Sequence, residues 1–173
     1  MKNDELLIIG RNVLVDFVGH AEGVPMKVDT GADSSSVWAT DINVDEDGIL
    51  SFKLFGKASK YYTGEVITRK AFKVAKVRSS SGHEELRYRT EIPIRIAGRQ
   101  IRVNFYLSDR SLHTYPALLG RRTLKNRFLV DVSRAEYDDP PKITHGFYEE
   151  MMKNPHEFHK KHYNNKTRNR GQA

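Results

Sequence analysis

An apolar alternation at Val24, Met26 and Val28 runs without a break into Asp29-Thr30-Gly31-Ala32. Period-two alternation is the pattern of a half-buried strand, and the small residues after it turn the chain sharply. A carboxylate is thereby set at the mouth of a tight turn, where Gly31 and Ala32 leave room for another backbone to come close. Asp, Thr and Gly are also ordinary turn formers, so the bare triplet is more often a structural turn than a catalytic one. Two carboxylates placed together can divide acid–base work, one accepting a proton and one donating it. A single loop of this kind supplies one carboxylate of such a pair.

A second element lies about ninety residues downstream. Pro116-Ala117-Leu118-Leu119-Gly120 leads into Arg121-Arg122-Thr123-Leu124, then Phe128-Leu129-Val130-Asp131. Between the two, β-branched and aromatic residues recur in short alternating runs divided by turn signals, which predicts an all-β barrel or sandwich. Val13 to Phe17 and Val24 to Val28 flank a Gly-His-Ala-Glu-Gly turn. Ile49 to Phe55 follows Asp45-Glu46-Asp47-Gly48. Ile92 to Ile96 and Ile101 to Phe105 form a hairpin through Ala97-Gly98-Arg99-Gln100. Tyr61 to Gly64 reads as a strand end, Val66 to Val77 as one long strand, and Glu84 to Ile94 as its return. Helical propensity in this part is confined to about Arg121 to Asn126.

The chain divides near residue 138. Residues 1–138 form the β domain. Residues 139–173, after Asp138-Asp139-Pro140-Pro141, are polar, basic and His-rich. Residues 146–163 predict a helix broken near Asn154-Pro155, and residues 164–173 a disordered end.

The string Val28-Asp29-Thr30-Gly31-Ala32-Asp33-Ser34-Ser35, with Leu118-Leu119-Gly120-Arg121-Arg122 in the same order, resembles the retropepsin-like aspartic proteases. The similarity spans roughly residues 8 to 135 and includes Val77-Arg78-Ser79-Ser80-Ser81-Gly82. It is nearest to a bacterial and archaeal family often called ATP-dependent zinc proteases and associated with ATP-grasp peptide ligases. The resemblance implies a closed β-barrel with one short helix, in which the apolar-apolar-Gly element packs on the Asp loop. It implies a homodimeric peptidase with Asp29, Thr30 and Gly31 as the catalytic loop. Two carboxylates about 3 Å apart cannot both ionise, so the pair would hold one proton. Thr30 would brace the loop across the dimer, and Gly31 would let it approach its twin. Ala32, Asp33, Arg78, Ser79, Ser80 and Gly82 are the candidate substrate-binding residues, with Arg121 or Arg122 as the alternative partner of Asp33. The hairpin between the two motifs stands where retropepsins carry the flap that closes over substrate.

Neither ATP nor zinc follows from the residues. No G-x-x-x-x-G-K-[ST] phosphate loop is present. In His156-Glu157-Phe158-His159 the second His comes one residue too early for an H-E-x-x-H helix. The tail histidines His145, His156, His159 and His162 lie among lysines without a carboxylate or Cys framework, so no metal and no cofactor are expected. Asn43 to Gly48 imitates the start of a calcium loop, but its twelfth position is Leu54 and not Glu, which leaves a β-turn. No G-x-S-x-G elbow and no cysteine occur, so serine- and cysteine-nucleophile chemistry are both disfavoured. The four apolar residues Leu6 to Ile9 are too few for a leader or a membrane span, which predicts a soluble cytoplasmic protein.

The chain carries 29 basic and 22 acidic side chains, a net charge of +7. Arg69, Lys70, Lys73, Lys76 and Arg78 recur along the flap region, with Arg87, Arg89, Arg95, Arg99 and Arg102 beyond it. Such a surface attracts polyanions and loses that attraction in salt. An acidic peptide, including a ligase-added acidic tail, is one expected partner. RNA is the other, with Tyr61, Tyr62, Tyr88, Phe105 and Tyr106 as stacking faces, although no RNA-binding motif is present. The competing function is therefore a catalytically silent peptide- or RNA-binding module on the same fold.

Overall fold

A computed structural model describes residues 5–78, 84–138 and 146–162. The chain divides into two compact units, Met1–Asp138 and Asp139–Ala173. The described part of the first unit holds strands β1 (Leu7–Ile9), β2 (Asn12–Phe17), β3 (Ala21–Asp29), β4 (Ser35–Val44), β5 (Leu50–Leu54), β6 (Ile67–Arg69), β7 (Phe72–Arg78), β8 (Glu84–Ile96), β9 (Arg99–Ser108), β10 (Ala117–Gly120) and β11 (Phe128–Val130), with helix α1 at Arg121–Leu124.

Six strands close on themselves in the order β10-β3-β2-β8-β9-β4, because β10 pairs in parallel with β3 on one side and antiparallel with β4 on the other. This is the closed all-β barrel that the alternating runs and the family resemblance imply. β5 and β6 extend from β4, and β7 pairs only with β8. β1 and β11 form a separate parallel pair, Leu7 opposite Phe128 and Val130 opposite Ile9.

The alternation seen in the sequence is the alternation of burial. Val24, Met26 and Val28 point inward while Lys27 is exposed, as the two-residue period of a strand requires. Ile92, Ile94 and Ile96 do the same on β8, and Phe17 packs edge-on to Phe55 at 5.6 Å and against Phe105 at the same separation. The β8–β9 connection is tighter than the four residues read from sequence. Ile96 already pairs with Arg99, so Ala97 and Gly98 alone make the turn, both at positive φ. Asp45 to Gly48 is a turn, closed by Asp45 Oδ1 accepting from the Ile49 N–H at 2.8 Å.

Two readings of the middle segment need correction. Val66 to Val77 is two strands. β6 pairs with β5 and β7 with β8, and the chain changes partners at Lys70-Ala71. The hairpin of β7 and β8 therefore begins at Phe72, paired with Thr90, and runs to Arg78 opposite Glu84. Tyr61 to Gly64 is a loop and ends no strand; Tyr61 and Tyr62 rest partly buried against the core.

The second unit contains helices α2 (Gly146–Lys153) and α3 (Pro155–His162). The break falls at Asn154, whose Oδ1 accepts from the Glu157 N–H at 3.2 Å, with Pro155 as the first residue of α3. No described helix is long and apolar enough to cross a membrane.

Asn12, 1 % exposed at the start of β2, ties the end of the first unit to the barrel. Its Nδ2 donates to Tyr115 Oη (2.8 Å) and the Tyr137 carbonyl (2.7 Å), and its Oδ1 accepts from the Glu136 and Tyr137 N–H groups. Asn12→Ala orphans these buried groups. It is expected to lower unfolding free energy by about 2–4 kcal/mol, readable as a shift in the urea midpoint.

Candidate active site

Asp29 ends β3 half-buried, with its Oδ1 accepting from the N–H groups of Gly31 (3.0 Å) and Ala32 (3.1 Å). These two bonds fold the turn around the carboxylate and fix its direction. Thr30 and Gly31 are exposed at the turn's crest.

β10 lies beside the loop with Gly120 in register opposite Asp29. The Gly120 N–H donates to Ser35 Oγ at 3.0 Å, and Ser35 Oγ shares a hydrogen bond with Thr123 Oγ1 at 2.8 Å. The Arg121 N–H donates to the Ala32 carbonyl at 2.8 Å, and the Arg122 N–H to the Asp33 carbonyl at 3.2 Å. The Asp29 loop thus supplies acceptors for donors that the start of α1 leaves free. A Cβ on Gly120 would stand 2.5 Å from the Ser34 backbone carbonyl, so only glycine permits this contact.

Asp33 is an arginine partner: it forms an ion pair with Arg121, and Arg122 Nη2 lies 4.0 Å from its other oxygen. Ala32 has its N–H on Asp29 and its carbonyl on Arg121, so its backbone serves the loop. Arg78 is the last residue of β7, while Ser79, Ser80 and Gly82 lie outside the described residues.

Arg110 is a feature that the sequence does not announce. Its Nε donates to the Tyr115 carbonyl (3.0 Å) and its Nη1 to Ser36 Oγ (3.1 Å). Burial and the nearby Arg87 pull its pKa down, while the Asp29 carboxylate acts in the opposite direction. A guanidinium keeps its charge through such shifts, so a fixed cation stands in the electrostatic neighbourhood of Asp29. The His113 imidazole is lowered chiefly by burial, then by Arg110. No motif surrounds either residue; a polar loop between two strands was the only signal.

Beside Thr30 an open, largely apolar groove of about 580 Å³ runs along Arg121, Leu124, Lys125, Phe128 and Leu129. The expected stacking faces need correction. Phe105 is fully buried in the core, and Tyr61, Tyr62 and Tyr88 pack partly buried against it. The Tyr106 ring lies under the Arg89 guanidinium at 5.7 Å.

A closed barrel whose Asp-Thr-Gly turn is locked by a Leu-Leu-Gly strand defines the retropepsin-like class. Within that class the chain belongs to the RimB-like family, whose model, described as "Retropepsin-like aspartic endopeptidase RimB", matches residues 8–141. Two curated relatives, each called "Probable alpha-L-glutamate ligase", come from Shewanella pealeana and Shewanella halifaxensis. Each is 32% identical over 142 residues. The match takes in 77% of this chain and 30% of each relative, so the chain spans under a third of their length. The crystal structure of Lpg0085, a DUF785 protein of unknown function from Legionella pneumophila, superposes with a TM-score of 0.58 at 21% identity. It covers 76% of this chain and 97% of that one, which establishes likeness of fold.

Ser35→Ala removes the acceptor of the buried Gly120 N–H and the partner of Thr123. A loss of about 1–3 kcal/mol is expected, together with faster hydrogen exchange at the Gly120 amide than at core amides of β8.

Proposed function

We propose that the chain is an aspartic-type peptidase that works as a homodimer, with the Asp29 carboxylates of two protomers meeting across a two-fold axis. The observation that carries this reading is the Asp29 turn: a half-buried carboxylate aimed by two backbone N–H groups and locked by Gly120. In the dimer one carboxylate is ionised and the other protonated. The ionised member takes a proton from water as the water oxygen attacks the peptide carbonyl carbon. The protonated member donates to the carbonyl oxygen. The C–N bond then breaks as the amine takes up the proton drawn from water and one hydroxyl of the diol returns its proton to the second carboxylate, leaving the acid product and the starting pair.

Two features support a second copy as the partner. Gly31 has a φ outside the left-handed region, and a Cβ there would meet only Asp29 Oδ1, at 3.4 Å. No described residue of the same protomer requires glycine at that position, whereas close approach of a twin loop does. Next to Thr30 lies the apolar groove, and Ile8 and Leu129, opposite each other on β1 and β11, are 52% and 53% exposed. Contiguous apolar surface of this kind favours association, and a two-fold contact makes one patch serve both partners.

Acidic peptides, including glutamate added by a ligase, are the proposed substrates. The net charge of +7 and the name borne by the curated relatives support this class.

Asp29→Asn keeps both accepted hydrogen bonds and removes the ionisable group. It is expected to reduce hydrolysis of a glutamate-rich peptide by roughly 10³-fold or more with the melting temperature within a degree or two. Turnover unchanged by Asp29→Asn but stopped by a chelator would replace this mechanism with a metal-dependent one. Gly31→Ala should leave the protomer's far-UV spectrum intact yet shift the sedimentation mass toward monomer and abolish activity. A mutant that stays dimeric and active would remove the two-fold loop contact.

A further inference from the structure

Outside the Asp29 turn, the barrel carries a cavity of about 310 Å³ whose wall includes Ser34, Arg89, Asn104, Arg102, Arg122 and Arg127. Four arginines line it, from β8, β9, α1 and the turn after it, and no carboxylate is among the described residues that line the space. Arg122 and Arg102 are each turned toward an acid beyond the wall, Asp33 at 4.0 Å and Glu91 at 3.3 Å. Arg89 and Arg127 have no ion pair among the described residues. Arg89 lies over Tyr106, and Arg127 Nη1 donates to the Thr123 carbonyl at 3.2 Å. Each retains N–H donors for a ligand. Like charges crowded into a concavity repel one another, and an anion between them relieves that repulsion while gaining charge-assisted hydrogen bonds.

We propose that this cavity is an anion subsite that holds an acidic side chain of the peptide whose scissile bond lies at Asp29, with Arg89 and Arg127 as the specificity-determining residues. The inference rests on the peptidase reading and adds the residues that select the substrate. Its geometry follows from the chain. Ser34, in the wall, is five residues from Asp29, no more than about 18 Å along even a fully extended backbone. An extended peptide covers that span in about five residues, which puts a glutamate at that distance from the cleaved bond within range of the cavity. Carboxylate fits because guanidinium pairs with it bidentately. Nucleic acid fits less well: a strand of bases needs open aromatic faces, and Phe105 is in the core while Tyr106 is covered by Arg89.

The test uses full-length protein carrying Asp29→Asn, which binds without cutting. Its probes are a fluorescein-labelled glutamate-rich peptide, the glutamine counterpart, and a labelled single-stranded RNA. Adding Arg89→Gln and Arg127→Gln should weaken glutamate-peptide binding by roughly tenfold or more and leave the glutamine peptide unchanged, at an unaltered melting temperature. The same two substitutions in cleavage-competent protein should lower kcat/KM for the glutamate peptide and not for the glutamine peptide. Equal glutamate preference with and without the arginines would overturn the subsite while leaving the peptidase standing. Glutamate peptide that binds through these arginines but is never cut by the unmodified chain would overturn both the peptidase reading and this role beside it. RNA bound more tightly than the peptide, and released by the same substitutions, would overturn the subsite in favour of a nucleic-acid cleft.

Discussion

The contact between Gly120 and the Ser34-Ser35 backbone is the joint on which this molecule depends. A strand of four residues, β10, is inserted between β3 and β4, and its insertion both closes the barrel and sets the position of Asp29. Any side chain at Gly120 would collide with main chain, which cannot rotate aside as a side-chain tip does. Ser35 and Thr123 then meet the polar groups that the junction buries. Fold closure and carboxylate placement are consequently one event: a change that loosens the junction opens the sheet and misdirects the acid together.

This coupling explains why so much could be read in the sequence. An Asp-Thr-Gly turn and a Leu-Leu-Gly strand are distant in the chain but adjacent in space, and Gly120 marks the junction in the sequence because it lies against the Ser34 backbone. The strands of the barrel were legible through alternation, since Val24, Met26, Val28 and the isoleucines of β8 face one core. What failed had no local signal. Val66 to Val77 is uniformly suited to extended structure, and propensity does not say where a strand exchanges one neighbour for another. Lys70-Ala71 lacks the Gly or Pro that normally marks such a corner. Phe105 is the exception: it shares the alternating face of Val103 and Leu107, so the period of the strand already places it in the core while Tyr106 remains partly exposed. Arg110 could not be singled out at all, because its place is set by Ser36 and the Tyr115 carbonyl.

The distribution of charge is more structured than the net value. Along the β7–β8 arm and the barrel wall several cations are already matched: Lys76 with Glu84, Arg87 with Glu85, Arg95 with Asp16, Arg102 with Glu91. Exposed pairs of this kind contribute little to stability, but they cancel the far field locally. The four arginines that line the cavity beside Ser34 add their positive potential at one concave place.

The parallel pairing of β1 with β11, together with the Asn12 tie, has a consequence for how such a barrel can be used. The two strands run the same way, so entry at Leu7 and exit after Val130 fall at opposite ends of the pair. Asn12 then holds the Glu136 and Tyr137 backbone back at the start of β2, five residues along the chain from Leu7. A unit with adjacent ends can be joined to, or inserted into, a longer polypeptide without pulling its sheet apart. Attachment would then require accommodation at one spot on the surface, and the host protein could vary freely elsewhere.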